Sequence, residues 1–176
     1  MRTSSFYSLS AYGLCLAALI VDQCIKYYVQ SHIPLHSSIA LHPMLTLTHT
    51  HNFGVTLSAF AKRSAEGQYV MAIMALCLLV ALSLYAGKRM PCARTPYGLA
   101  LAWAGGISNA MDRLWHGGVI DYLWFHVGDW HWPAIVNVAD LCICLGCALL
   151  IWQTQTTHKN PAISQTPSRQ PCDSAS

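Results

Sequence analysis

Four long apolar runs, at about residues 9–29, 69–86, 97–112 and 133–152, limit what this chain can become. A helix needs roughly 20 apolar residues to cross a bilayer, and four such spans would consume about half of the 176 residues. The second run carries no charge, the first is interrupted only late by Asp22 and Lys26, the third ends at Asp112 and Arg113, and the fourth contains Asp140 alone. Charged residues make up 10% of the chain, against roughly 25% in a soluble domain. That composition cannot clothe a solvated surface, so it excludes a soluble enzyme and a disordered tail protein. A net charge of +3 spread along the chain supplies no phosphate-tracking patch, which excludes a nucleic-acid partner. The expected fold is an all-α membrane protein: a four-transmembrane-helix bundle with short outer loops and a small extracytoplasmic β-element. Residues 1–152 read as one four-span domain, and 153–176 as a polar, disordered cytoplasmic tail rich in Thr, Ser, Gln and Pro.

The cysteines are consistent with this picture. Five of the eight (Cys15, Cys77, Cys142, Cys144 and Cys147) lie inside apolar runs, where a thiol packs as a small hydrophobe. Cys144 and Cys147 form a CxxC without a second pair nearby, and Glu66 is the one glutamate, so an HExxH zinc motif is absent. No small-residue cleavage site follows the first run, and Cys15 and Cys24 lack the small residues that precede a lipidated cysteine, so this segment is expected to remain in the mature protein.

Basic residues set the expected orientation. Arg2, Lys88, Arg89, Arg94, Lys159 and Arg169 fall on one side of four spans, while Lys62 and Arg63 fall on the other, with Lys26 and Arg113 at helix ends. The positive-inside rule then puts both termini in the cytoplasm and turns the loops at about 30–68 and 112–133 outward. Trp115, Trp124, Trp130 and Trp132 cluster in the second of these loops, as rings at a membrane–water boundary do. In the first, the alternation Leu45-Thr46-Leu47-Thr48 predicts a short strand.

The acidic residues point to chemistry. Of seven, Asp112, Asp121, Asp129 and Asp140 fall between positions 112 and 140. An Asp at mid-membrane costs about 2.5–3.5 kcal/mol to insert, and Asp140 should lie roughly 10 Å along the fourth helix from Pro133, below the headgroups but still reachable from outside. The pattern Asn-x-x-Asp occurs twice, as Asn109/Asp112 and Asn137/Asp140, and a spacing of three puts amide and carboxylate on one helix face, with Arg113 joining the first pair. A hairpin turning at Gly128-Asp129 would set Asp121 opposite about Val136, one turn from Asp140, and leave Asp129 at the exposed tip. Two carboxylates sharing a dry site cannot both ionise easily, so the pair holds one proton and can activate water against a peptide carbonyl. Spacing leaves open Asp112/Asp140 as the pair, and it also leaves open these aspartates as ion pairs or helix caps.

Four blocks carry a resemblance to the bacterial lipoprotein signal peptidases (signal peptidase II). Asp22-Gln23-Cys24-Ile25-Lys26 resembles a DQxxK motif, and Asn52-Phe53-Gly54 with Ser58 resembles NxGxAxS. The stretch from Gly105 to Arg113, followed by Gly118-Val119-Ile120-Asp121-Tyr122, resembles GGxxxNxxDR…GxVxDF, and Pro133 with Asn137-Val138-Ala139-Asp140 resembles PxxNxAD. The resemblance implies an intramembrane aspartic peptidase of the bacterial inner membrane, working at the outer face. Its substrates would be prolipoproteins bearing a diacylglyceryl cysteine, cut just before that cysteine, with globomycin as inhibitor and no cofactor or metal. It implies Asp121 and Asp140 as the catalytic dyad, Asn52, Gly54, Asn109, Arg113 and Asn137 as residues lining the site or binding substrate, and Asp22, Lys26 and Asp112 as support. Two departures are Thr56-Leu57, where the family has Ala-Phe or Ala-Trp, and Ser108, where a Gly precedes Asn109.

Two other readings compete. A small proton-coupled carrier would protonate Asp140, but would need carboxylates at mid-membrane rather than gathered at one face. A metal site could use His49-x-His51 with His116, His126 or His131, since alternate strand residues share a face. Neither the GxSG of a rhomboid-type serine peptidase nor the GxGD of other intramembrane aspartic peptidases is present within a span.

Overall fold

The computed structural model describes residues 2–54, 65–89 and 96–159. Their elements run α1 (Arg2–His32), β1 (Ser38–His42), β2 (Leu45–Asn52), α2 (Ala65–Arg89), α3 (Pro96–His116), β3 (Val119–Val127), β4 (Trp130–His131) and α4 (Val138–Lys159). Within α1, α2 and α4, the segments Leu9–His32, Ala65–Lys88 and Val138–Gln155 are long and apolar enough to cross a membrane. Helix α3 has 21 residues, about 31 Å, but Ser108, Asn109, Asp112 and Arg113 occupy its last turns and dilute its apolarity. Large apolar side chains point outward from the other three, with Leu16, Leu78 and Ile151 each more than half exposed. That arrangement inverts a soluble fold and suits lipid as the surrounding medium.

Helix α3 is the hub and packs against α1, α2 and α4. Small residues let it do so: Ala100, Ala102, Ala104 and Ala110 are buried, and Gly105 and Gly146 lie at the α3–α4 contact. A Cβ on Gly105 would strike the Ala139 carbonyl, and one on Gly146 would come within 2.8 Å of the Ala102 nitrogen. Close backbone approach over small residues is how helices associate in lipid, where no hydrophobic drive pushes them together.

The small β-element expected around Leu45–Thr48 is present as a sheet. It has four antiparallel strands in the order β1-β2-β3-β4, and β2 extends through Asn52. Its strands join the C-terminal end of α1 to α2 and the C-terminal end of α3 to α4, so the sheet closes one end of the bundle. Gly128, at φ 58°, makes the tight β3–β4 turn, and Asp129 is exposed there, as the hairpin reading required. The register differs by two residues: Val136 bridges Leu123 rather than Asp121, because β4 is only two residues long and 132–135 leave the ladder.

Helix α4 also differs from the expected 133–152. It starts at Val138, since Pro133 lies in the irregular approach and Asn137 supplies the cap, and it continues to Lys159. Residues 153–159, expected as tail, are helical because a helix already nucleated extends readily through Gln and Thr; Thr154 donates its hydroxyl to the Ile151 carbonyl at 2.7 Å. The remainder of that tail, 160–176, falls outside the described residues, as do Thr56, Leu57, Ser58, Lys62, Arg63 and Arg94.

Gly146→Val should therefore cost about 1–3 kcal/mol by overpacking the α3–α4 contact. Gly87→Ala, where nothing lies within 4 Å of an added Cβ, should gain about 0.5–1 kcal/mol. Thermal unfolding in detergent measures both.

Candidate active site

Asp22 and Lys26, four apart on α1, meet at 2.7 Å, and the same ammonium lies 2.8 Å from Asp112 on α3. All three are essentially inaccessible. The spare oxygen lone pairs are filled. Asp112 accepts from Gln23 Nε2 (3.0 Å) and from the Ile120 backbone N–H (3.1 Å). Asp22 accepts from the Ser108 hydroxyl (2.5 Å), the Tyr122 hydroxyl (2.9 Å) and the Ala139 N–H (3.0 Å). Charges this deep persist only when paired and fully hydrogen-bonded.

This network fixes where β3 and α4 meet, and the remaining candidate residues gather at that junction. Asp121 is buried on β3 and accepts from Asn52 Nδ2 across the sheet (2.9 Å) and from Asn137 Nδ2 (2.7 Å). Asp140 stands in the first turn of α4. Its carboxylate accepts from Asn109 Nδ2 (2.8 Å) and from the Asn137 N–H (3.3 Å), while its own N–H donates to Asn137 Oδ1 (2.8 Å). The last two bonds form a capping box with Asn at the cap and Asp three residues on. Asn137 therefore touches both carboxylates, and Asn109 braces it through a 3.3 Å contact.

Every predicted site residue among Asn52, Asn109, Asp121, Asn137 and Asp140 is thus in this one cluster. Asp112 is not: Lys26 and Gln23 occupy it. Asn109, on one face with Asp112, meets the cation that binds that carboxylate, its Oδ1 accepting from Lys26 Nζ (2.9 Å), while its Nδ2 donates to Asp140 on α4, a partner that spacing along one helix cannot name. Arg113 stays on that face and donates to the Asn109 carbonyl (3.1 Å). Gly54, at φ 83°, donates its N–H to Asn52 Oδ1 (2.8 Å), and a Cβ there would strike the Met71 methyl, so only glycine makes this turn. Two residues given no role by sequence, Gln23 and Tyr122, hold the network as firmly as those that were; nothing in their spacing signals it.

Burial pushes the Asp121 carboxyl up to about 7; the amide donors Asn52 and Asn137 and the distant Lys26 pull the other way, and the Asp140 charge adds to the rise. Asp140's place in the first turn of its helix is unlike the mid-membrane position a carrier requires. Among the described residues, no group of three or more His, Cys, Asp or Glu side chains is placed to hold a metal ion. His49 instead donates Nδ1–H to the Ile33 carbonyl at 2.7 Å. Arg113 also lines an apolar groove of about 580 Å³ along α2, with Met71, Met74, Cys77, Leu78 and Ala81.

Solved structures of two bacterial membrane enzymes share this fold. One superposes with TM-score 0.66 at 20% identity, covering 92% of this chain and 94% of the other. The second gives TM-score 0.68 at 24% identity over 82% and 91%. What is shared is a fold of long apolar helices with a small sheet at one end, where this chain gathers its buried, amide-braced carboxylates. Sequence comparison takes the identification further. The model of signal peptidase (SPase) II matches residues 14–156. The lipoprotein signal peptidase of Yersinia enterocolitica is 35% identical over 143 residues, covering 80% of this chain and 83% of the relative. That of Mesorhizobium japonicum is 36% identical over 171 residues, covering 92% and 95%. The chain belongs to the signal peptidase II family.

Lys26→Met leaves two buried carboxylates without a counter-charge and should cost about 3–5 kcal/mol, enough to abolish folding or shift the melt sharply. A melting curve matching wild type in detergent would show that the ion triad bears no weight.

Proposed function

We propose that this protein is an intramembrane aspartic endopeptidase that removes signal peptides from diacylglyceryl-modified prolipoproteins, cutting before the lipidated cysteine. The observation that carries the reading is Asn137, hydrogen-bonded at once to Asp121 and Asp140. The curated relatives are named lipoprotein signal peptidases, which supplies the substrate class.

The pair works with one proton between its two carboxyl groups. The ionised carboxyl takes a proton from water as the water oxygen adds to the scissile carbonyl carbon. The protonated carboxyl gives its proton to the carbonyl oxygen. Collapse of the tetrahedral species returns that proton, and the leaving amine takes the one abstracted from water. Asn52, Asn109 and Asn137 hold the carboxyl oxygens without adding charge. The apolar groove along α2, which Arg113 also lines, offers a place for an acyl chain. In this reading residues 1–152 form one four-span peptidase domain in the bacterial inner membrane, α3 being the fourth span. Both termini are cytoplasmic, and the sheet and carboxylate pair face outward.

The decisive experiment is cleavage of a diacylglyceryl-modified precursor by purified protein, with and without globomycin. Asp121→Asn and Asp140→Asn should each lower the rate by at least about 10²-fold while the protein stays folded. Full activity in either variant removes the dyad.

The pH dependence has a definite sign. Folding raises Asp121 from 3.8 to about 7, so folding favours its protonated form. That stabilisation is complete below pH 3.8 and is lost as pH rises through about 7. The melting temperature should therefore fall from pH 5 to pH 8, and Asp121→Asn should flatten that slope. Cleavage should decline over the same alkaline range as the pair loses its shared proton.

A further inference from the structure

We infer that Tyr122 is a positioning residue whose hydroxyl fixes the first turn of α4, and with it the Asp140 carboxylate, relative to Asp121. The inference rests on the dyad reading above and concerns how the pair is held.

The first N–H groups of any helix lack partners within it, and buried ones must find them elsewhere. In α4 each is met by a side chain from a different element. The Val138 N–H donates to the Tyr122 hydroxyl from β3 (3.1 Å), the Ala139 N–H to Asp22 from α1 (3.0 Å), and the Asp140 N–H to the Asn137 cap (2.8 Å). The Tyr122 hydroxyl in turn donates a hydrogen bond to Asp22 (2.9 Å), so the α4 terminus, β3 and the ion network on α1 share one joint. Tyr122 is wholly buried.

Position 122 matters because it follows Asp121 directly. Successive strand residues point to opposite faces. Asp121 reaches Asn137 from one side, and Tyr122 reaches Val138 from the other. The backbone closes the grip, since the N–H groups of Tyr122 and Leu123 both donate to the Val136 carbonyl (3.1 and 2.7 Å). Two consecutive β3 side chains therefore clamp residues 137 and 138, and Asp140 lies within the same turn. A phenylalanine, which the DF motif carries here, fills the same space but leaves the Val138 N–H and one Asp22 lone pair unmet.

The test uses Tyr122→Phe and Val138→Pro, which break the same hydrogen bond from its two ends; proline is tolerated in the first turn of a helix. On the diacylglyceryl-modified precursor, each variant should lower kcat about 10-fold while KM stays within about twofold, and the double variant should be no slower than the worse single one. In Tyr122→Phe the Ala139 and Asp140 amides should exchange with deuterium at least about 10-fold faster, which reports the loosened turn independently of activity. Multiplicative kcat losses, a loss confined to KM, or unchanged kcat and exchange in Tyr122→Phe would overturn the inference. If Tyr122→Phe does not fold, Val138→Pro with wild-type kcat does the same. An active Asp140→Asn would instead bring down the dyad reading, leaving the exchange result to judge Tyr122 alone.

Discussion

The Lys26 ammonium sits between the carboxylates of Asp22 and Asp112, out of contact with water, and the remainder of the site is arranged around the need to satisfy that triad. One cation and two anions leave an excess negative charge in a low-dielectric interior. Neutral donors offset it: an amide from Gln23, hydroxyls from Ser108 and Tyr122, and backbone N–H groups of Ile120 and Ala139. Ala139 contributes from a helix N-terminus, whose aligned peptide dipoles favour negative charge. Because the donors come from α1, α3, β3 and α4, discharging one electrostatic debt docks four elements together.

That docking explains why the carboxylate pair forms at a junction of strand and helix. Asp121 is held by side chains across a sheet, and Asp140 by the capping box of a helix, so the two are oriented by different backbone geometries that Asn137, the clamp at 122–138 and the Asp22 carboxylate connect. A pair on one helix would have a fixed separation set by the helix repeat. A pair split across two elements takes its separation from packing, which is why a network remote from the two carboxylates can matter to them.

Much of this was legible in the sequence, and its failures share one cause. The apolar runs locate α1, α2 and α4, and Gly128-Asp129 locates the hairpin, because hydropathy and turn chemistry are local properties. The clustering of Asp121 and Asp140 followed from counting residues back from that turn, although the true bridge is Leu123–Val136. What spacing could not supply was the choice of partner. Asn109 shares a helix face with Asp112 yet donates to Asp140, and Asp112 turns to Lys26 and Gln23. Helix α3 falls outside the segments apolar enough to cross a membrane for the same reason: its polar residues face other protein elements, a fact of tertiary structure that a hydropathy sum cannot register. Ser108, at a position where the motif has glycine, finds its explanation only in three dimensions, as a donor to Asp22.

A membrane imposes a further condition that the junction meets. Backbone polar groups that cannot reach water must be paired within the protein, and the start of a helix below the headgroups is the hardest place to comply. In α4 the first three N–H groups are met by Tyr122, Asp22 and Asn137, and the fourth, on Leu141, returns to the Asn137 carbonyl at 3.3 Å. With its terminus satisfied by side chains, the helix can begin against α1, α3 and β3, with the Asp140 carboxylate in its first turn. Under the proposed reading the scissile bond is tethered next to acyl chains and cannot move far from them. The enzyme must then bring its acids to the lipid boundary, and a side-chain-capped helix start offers a way to do so without leaving bare backbone in the bilayer.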